Sequence, residues 1–169
     1  RRSCTGFTLV ELITVIGLLG ILSAVAIARS GSSRDFEPRR FVSMAAEQYR
    51  FTHGLSSARF GDTVSFSLSL TGTAEWQFLS ESSADGTLRR ETLSMGALNV
   101  LVTNGTNTLA LDGSNSLRIE FSASGDVLAA AVGSQALLPN QGIQITVSGG
   151  SSHSVCVYPT GYLGNGDCV

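Results

Sequence analysis

The sequence predicts an α+β fold: a long N-terminal helix, one half membrane-spanning and the other amphipathic, packed on an antiparallel β-sheet. Three observations carry this. From Phe7 to Ala28 the chain is apolar or small over 22 residues, with Glu11 as the single charge. From Pro38 to about Ala58 apolar residues recur at helical spacing. After Gly61-Asp62 the period drops to two, and short apolar stretches follow with turn dipeptides between them and no further helical pattern.

The first element is set by its length. At about 1.5 Å per residue a helix over 7–28 spans about 33 Å, enough for a bilayer core. An acid near the start of such a span costs roughly 2.5–3.5 kcal/mol on insertion, so Glu11 calls for a partner or a function. Arg1 and Arg2 precede the run and bias that end to the cytoplasm. By its residues alone the segment fits three descriptions. A removable secretory signal would use Ala24-Val25-Ala26 or Ala26-Ile27-Ala28 as its small-residue site, although the run exceeds the usual ~7–15 apolar residues. A plain single-span anchor and a specialised anchor employing Glu11 are the other two.

Arg29 to Glu37, RSGSSRDFE, is polar enough for an interface or a short linker, with Gly31 weakening the helix and Pro38 expected to kink it or start a fresh one. Beyond it Phe41, Met44, Ala45, Tyr49 and Leu55 fall on or near one helical face, with Arg39, Glu47 and Arg50 opposite. Strands are expected at Thr63–Leu70, Glu75–Leu79, Thr87–Leu93, Leu98–Thr103, Leu109–Leu111, Leu117–Ser122, Val127–Val132, Ile143–Ser148 and Ser154–Tyr158. Asp85-Gly86, Asn104-Gly105, Asp112-Gly113 and Ser124-Gly125-Asp126 supply the turns. Composition agrees: 43% hydrophobic and 14% charged residues exclude disorder, and 19 glycines speak against a helical bundle.

GFTLVELITVIGLLGILSAVAIA, residues 6–28, closely resembles the class III leader and N-terminal helix of type IV pilins and type II secretion pseudopilins. The resemblance rests on a Gly–aromatic junction, an acid four residues on, and the apolar run. It implies cleavage between Gly6 and Phe7 by a prepilin peptidase, N-methylation of Phe7, and guidance of filament assembly by Glu11. LRIEFSASGDVLAAAV, GIQITVSG and SHSVCVYPTGYLG resemble the closing strands of the GspH/FimT-like minor pilins and pseudopilins. CVYPTGYLGNGDC is similar to the cysteine-closed C-terminal loop of type IV pilins, which secretion pseudopilins of the H type often lack. The implied divisions are a leader at 1–6, a transmembrane and assembly helix at 7–28, a linker and amphipathic helix at 29–60, and a β-rich globular domain at 61–169.

Loss of the leader would remove Cys4 and leave Cys156 and Cys168, which an exported domain would oxidise to a disulfide; two separate buried thiols are the alternative. It would also leave 9 arginines against 13 acids, a formal charge of −4. After Arg118 there is no further basic residue except His153, and Glu37, Glu47 and Glu91 interleave with the earlier arginines, so a nucleic-acid footprint is not expected.

Nothing in the sequence assembles an active site, and no enzyme is expected. His53 and His153 have no zinc-ligand spacing with the cysteines. Ser151-Ser152-His153 reads as the start of a strand rather than a nucleophile and its base. Gly161–Gly166, GYLGNG, has no helix after it and reads as a flexible, disulfide-closed loop. Asp62, Asp85, Asp112 and Asp126 each sit at a turn and form no calcium loop. Asn104-Gly105-Thr106 matches a glycosylation sequon, but Asn-Gly is also hairpin chemistry. No cofactor or metal is expected.

The function expected is therefore a structural subunit, a minor pilin of a type IV pilus-like filament. A minor pseudopilin of a type II secretion system and a membrane-tethered binding ectodomain on a plain anchor are the alternatives. The resemblance implies other pilin or pseudopilin subunits, prepilin peptidase and an inner-membrane assembly platform as partners. It places the chain in the inner membrane as a single-pass protein with a periplasmic ectodomain, and then in the pilus or pseudopilus.

Overall fold

In the computed structural model the described residues are 9–29, 33–59, 61–96 and 98–168, without the side chains of 26–29 and 33–35. They fall into two compact units, 1–33 and 34–169. The first contains helix α1, Leu9–Arg29. Among the described residues no helix is long and apolar enough to cross a membrane. The span expected at 7–28 begins with Phe7 and Thr8, which lie outside the described residues, as do Gly6 and the leader.

The second unit is α+β. Among the described residues helix α2, Ser33–Ala58, precedes eleven antiparallel strands. Pro38 lies inside α2, so the helix neither begins at Pro38 nor stops before it. This falls just past the first turn, where a missing N–H forfeits only one backbone bond. The ring is buried, and a side chain built on Gly149 would press on it and on Leu98.

The strands are β1 (Val64–Thr71), β2 (Glu75–Ser82), β3 (Gly86–Ser94), β4 (Asn99–Asn104), β5 (Asn107–Leu111), β6 (Leu117–Phe121), β7 (Val127–Val132), β8 (Gln135–Leu137), β9 (Ile143–Ser148), β10 (Ser152–Val157) and β11 (Leu163–Asn165). They form two sheets rather than one. Sheet A runs β3-β2-β1-β6-β7-β8 and sheet B runs β11-β10-β9-β4-β5. Neither β8 nor β11 is marked by the sequence, because three residues are too few to establish a period.

Alternation decides which faces turn inward. Val64, Phe66 and Leu68 of β1, Trp76 and Phe78 of β2, and Leu117, Ile119 and Phe121 of β6 are buried. Sheet B contributes Val100, Val102, Ile143, Ile145, Val147, Val155 and Val157 to the same core. Helix α2 closes it with Phe41, Ala45 and Tyr49. Phe41 stands edge-on to Trp76 at 5.1 Å between centroids, and Tyr49 stands edge-on to Phe66 at 5.7 Å and Phe121 at 5.3 Å. Such pairs add about 0.5–1.5 kcal/mol beyond area burial.

Leu55 departs from the expected helix face. It is only half-buried, while Gln48, Thr52 and Ser56 are buried in the turns around it. The Gln48 amide nitrogen and both hydroxyls meet polar partners there, while Gln48 Oε1 is buried with none among the described residues. Gln48 Nε2 donates to Ser80 Oγ at 2.8 Å, Thr52 Oγ1 lies 2.6 Å from Ser80 Oγ, and Ser56 Oγ donates to the His53 carbonyl at 2.7 Å. Ser80 lies on β2 in register with Trp76 and Phe78, so the inward face of that strand ends in a hydroxyl rather than a methyl group.

Candidate functional site

Helix α1 exposes every described side chain from Leu9 to Val25. Leu9, Val10, Ile13, Leu18, Ile21 and Leu22 are each at least 60% exposed. A helix apolar on every face is stable only where lipid or other helices replace water. Glu11 lies in its first turn, and Thr14 Oγ1 donates to the Glu11 carbonyl at 2.9 Å, tying the side chain to the turn before it. The family model for the prokaryotic N-terminal methylation motif matches residues 1–27, spanning this acid and most of the apolar run.

The chain carries a prokaryotic N-terminal methylation motif. This motif covers 27 of 169 residues and supports a type IV pilin-like or pseudopilin protein. It implies processing by prepilin peptidase and assembly with other pilin-type subunits, and it is consistent with anchoring in a membrane before assembly. No curated protein and no solved structure matches the chain. Gly6 and Phe7 fall inside the motif and outside the described residues.

The C-terminal loop is closed by a disulfide between Cys156, buried on β10, and Cys168, with 5.1 Å between the Cα atoms. The loop, read from the sequence as flexible and disulfide-closed, contains a short strand. Strand β11 lies inside it and pairs Leu163, Gly164 and Asn165 with Val157, Cys156 and Val155. Asp167 Oδ1 accepts from Gln144 Nε2 at 2.6 Å and from Ser154 Oγ at 2.8 Å. The Tyr49 hydroxyl reaches across from α2 and donates to the Gly161 carbonyl at 3.0 Å. Burial holds the Tyr49 phenol far above the ordinary range for tyrosine, so it remains a donor. Val127 N donates to the Pro159 carbonyl at 2.9 Å, tying the same loop to sheet A.

The charged residues are dispersed. Arg89 bonds Glu47 at 3.1 Å and Glu91 at 3.2 Å, and these acids, Glu47 foremost, raise its pKa above the ordinary arginine value. Arg118 bonds Glu81 and Glu120, and Arg59 bonds Asp85. Asp112 accepts from the backbone N–H groups of Ser114 and Asn115 at 2.8 and 2.9 Å, which is turn chemistry. Among the described residues no three His, Cys, Asp or Glu side chains gather at one point.

Ser151 Oγ does approach His153 Nε2, at 3.3 Å, but the same nitrogen accepts from Arg39 Nε at 3.3 Å. A lone pair engaged by a guanidinium is poorly placed to take a serine proton. Asn104 is the last residue of β4, and its side chain is buried. It accepts from Leu138 N at 2.8 Å and donates to the Leu138 carbonyl at 3.1 Å, so the amide pins the loop before β9. The hairpin turn itself uses Gly105, with a φ of 60° at the first central position.

Proposed function

We propose that this chain is a minor pilin: a structural, non-enzymatic subunit of a type IV pilus-like filament. The methylation motif at residues 1–27, followed by a helix exposed and apolar on every side, is the observation that carries this reading. Prepilin peptidase cuts between Gly6 and Phe7, and Phe7 is then methylated. Before assembly, residues 7–28 hold the subunit in the inner membrane with residues 29–169 in the periplasm. After extraction the same apolar surface packs against neighbouring subunits, and Glu11 meets the methylated amine of an adjacent chain. A carboxylate and an ammonium moved out of water attract strongly, and each is costly if left unpaired. That pairing favours a complete filament over a free helix in lipid. The disulfide-closed C-terminal loop supports a pilus subunit over a secretion pseudopilin.

The intact mass of the chain purified from its membrane or filament fraction is the test. The expected N-terminus is Phe7 carrying one added methyl group. A chain beginning after Ala26 or Ala28 marks a cleaved secretory signal instead, and an uncleaved chain marks a plain anchor.

A further inference from the structure

A cleft of about 630 Å³ runs between α2 and the β10–β11 end of sheet B, within the compact unit 34–169. Arg39, Ser43 and Arg50 form its helical wall, and Ser152, His153 and Asn165 line the other side. Its described lining contains two guanidinium groups, an imidazole, hydroxyls and an amide, and among the described residues no carboxylate. Arg59, Arg89 and Arg118 are all neutralised by acids, whereas Arg39 and Arg50 have no carboxylate partner among the described residues. The acids that adjoin the cleft are engaged elsewhere: Glu47 with Arg89, and Asp167 with Gln144 and Ser154.

Arg39 is oriented as well as unpaired. Its Nε donates to His153 Nε2 at 3.3 Å, which fixes the guanidinium plane and leaves the two terminal nitrogens as a fork. A fork of this kind matches the two oxygens of a carboxylate. Arg50 stands eleven residues further along the same helix, about 16 Å away at 1.5 Å per residue. The cleft therefore offers two anion sites at its ends with hydrogen-bonding hydroxyls between them.

We propose that this cleft docks an extended acidic segment of a partner polypeptide, one carboxylate on Arg39 and a second on Arg50. Two cations suit such a segment better than a nucleic acid, which calls for a longer run of phosphate contacts, and no Phe, Tyr or Trp lines the cleft for bases to stack on. The backbone also favours a polypeptide. Among the described residues strand β11 covers β10 only along Val155–Val157, and past the Gly166–Ser154 bond Ser152 has no strand partner on that side. The negative charge of Asp167 at the β11 rim repels an acid there and directs the carboxylates to the α2 wall. This site is independent of how the N-terminal helix is used.

The test is binding of a labelled Glu-Thr-Ser-Thr-Ser-Thr-Glu peptide to the full chain in detergent micelles. Its terminal glutamates stand about 20 Å apart when extended. The counterpart with glutamine at both ends should bind at least fivefold more weakly. Arg39→Gln and Arg50→Gln should each weaken the acidic peptide roughly threefold, and together about tenfold. Arg118→Gln, on sheet A, should leave binding unchanged, and all variants should keep the parental circular dichroism. Equal affinity for the glutamine peptide, an unaffected double variant, or no measurable binding overturns the proposal. So does tighter arginine-dependent binding of a single-stranded oligonucleotide or of inorganic phosphate, which would make the site one for phosphate.

Discussion

Replacing Tyr49 by phenylalanine isolates one interaction that joins the helix to the C-terminal loop. The ring is 2% exposed and packs edge-on against Phe66 and Phe121, contacts that phenylalanine keeps. Only the hydroxyl is lost, and with it the 3.0 Å bond to the buried Gly161 carbonyl. An ordinary hydrogen bond contributes about 1 kcal/mol net, but an acceptor left buried and unpaired costs about 1–3 kcal/mol. The expected loss is therefore about 2 kcal/mol, read as a lower urea midpoint at unchanged slope in a fragment spanning 34–169, which this compact unit predicts will fold alone.

The pH dependence gives a second reading of the same bond. Burial raises the folded-state pKa of Tyr49, so its contribution is complete below the unfolded value near 10 and is lost as pH rises above it, where only the unfolded chain releases the proton. The stability gap between parent and Tyr49→Phe should thus be constant from about pH 7 to 9.5 and narrow above pH 10. A variant as stable as the parent, or a gap that widens in alkali, would refute the reasoning.

Other perturbations follow from the same geometry. Gly161→Ala should destabilise by about 3 kcal/mol in the same urea assay, because φ is 74° and the new Cβ would lie 2.0 Å from the Gly125 carbonyl oxygen. Cys156→Ser with Cys168→Ser should cost roughly 2–5 kcal/mol, and thiol titration of the denatured, unreduced parent fragment should find no free cysteine. Asn104→Ala, which removes the bond from Leu138 N and the two hydrogens that Nδ2 shares among the Leu138, Gln141 and Gly142 carbonyls, should lower the urea midpoint by the equivalent of about 2–3 kcal/mol. Glu11→Val should leave membrane association intact and deplete the subunit from sheared filaments, with Glu11→Asp giving a partial defect; normal incorporation of Glu11→Val defeats an essential role for this charge.

Legibility in the sequence followed the strength of the periodic signal. The β1 alternation of Val64, Phe66 and Leu68 and the helical spacing of Phe41, Ala45 and Tyr49 report burial directly, because one apolar face is all the fold requires of them. Elements held by partners distant in sequence left no such trace. Strand β11 exists because Cys168 is tied to Cys156, Asp167 to Gln144 and Ser154, and Gly161 to Tyr49. Of these pairings only the disulfide is expected from the sequence; the others form no local pattern, and the glycines between them suggest a loop when read alone. The division into two sheets was hidden for a similar reason, since alternation identifies an inward face without saying which strand lies beside it.

The polar stripe Gln48, Thr52 and Ser56 is the case where burial and hydropathy part most clearly. Hydropathy selects Leu55, one residue before Ser56, yet the helix turns Ser56 inward and leaves Leu55 at the margin. The inward face of β2 passes from Trp76 and Phe78 to Ser80 and Ser82, and an apolar side chain opposite Ser80 would take away one of that hydroxyl's two partners and the contact of Gln48 Nε2 with the Arg89 carbonyl at 3.4 Å. A leucine at position 48 would gain apolar area and leave Ser80 with Thr52 alone. Gln48→Leu should therefore be neutral or destabilising despite its higher hydropathy, and Gln48→Leu combined with Ser80→Ala should recover stability. The double-mutant cycle decides it: a coupling energy near zero would mean that the buried hydrogen bond makes no net contribution to holding α2 on the sheet, and a coupling of about 1 kcal/mol or more would mean that it fixes the register of the helix.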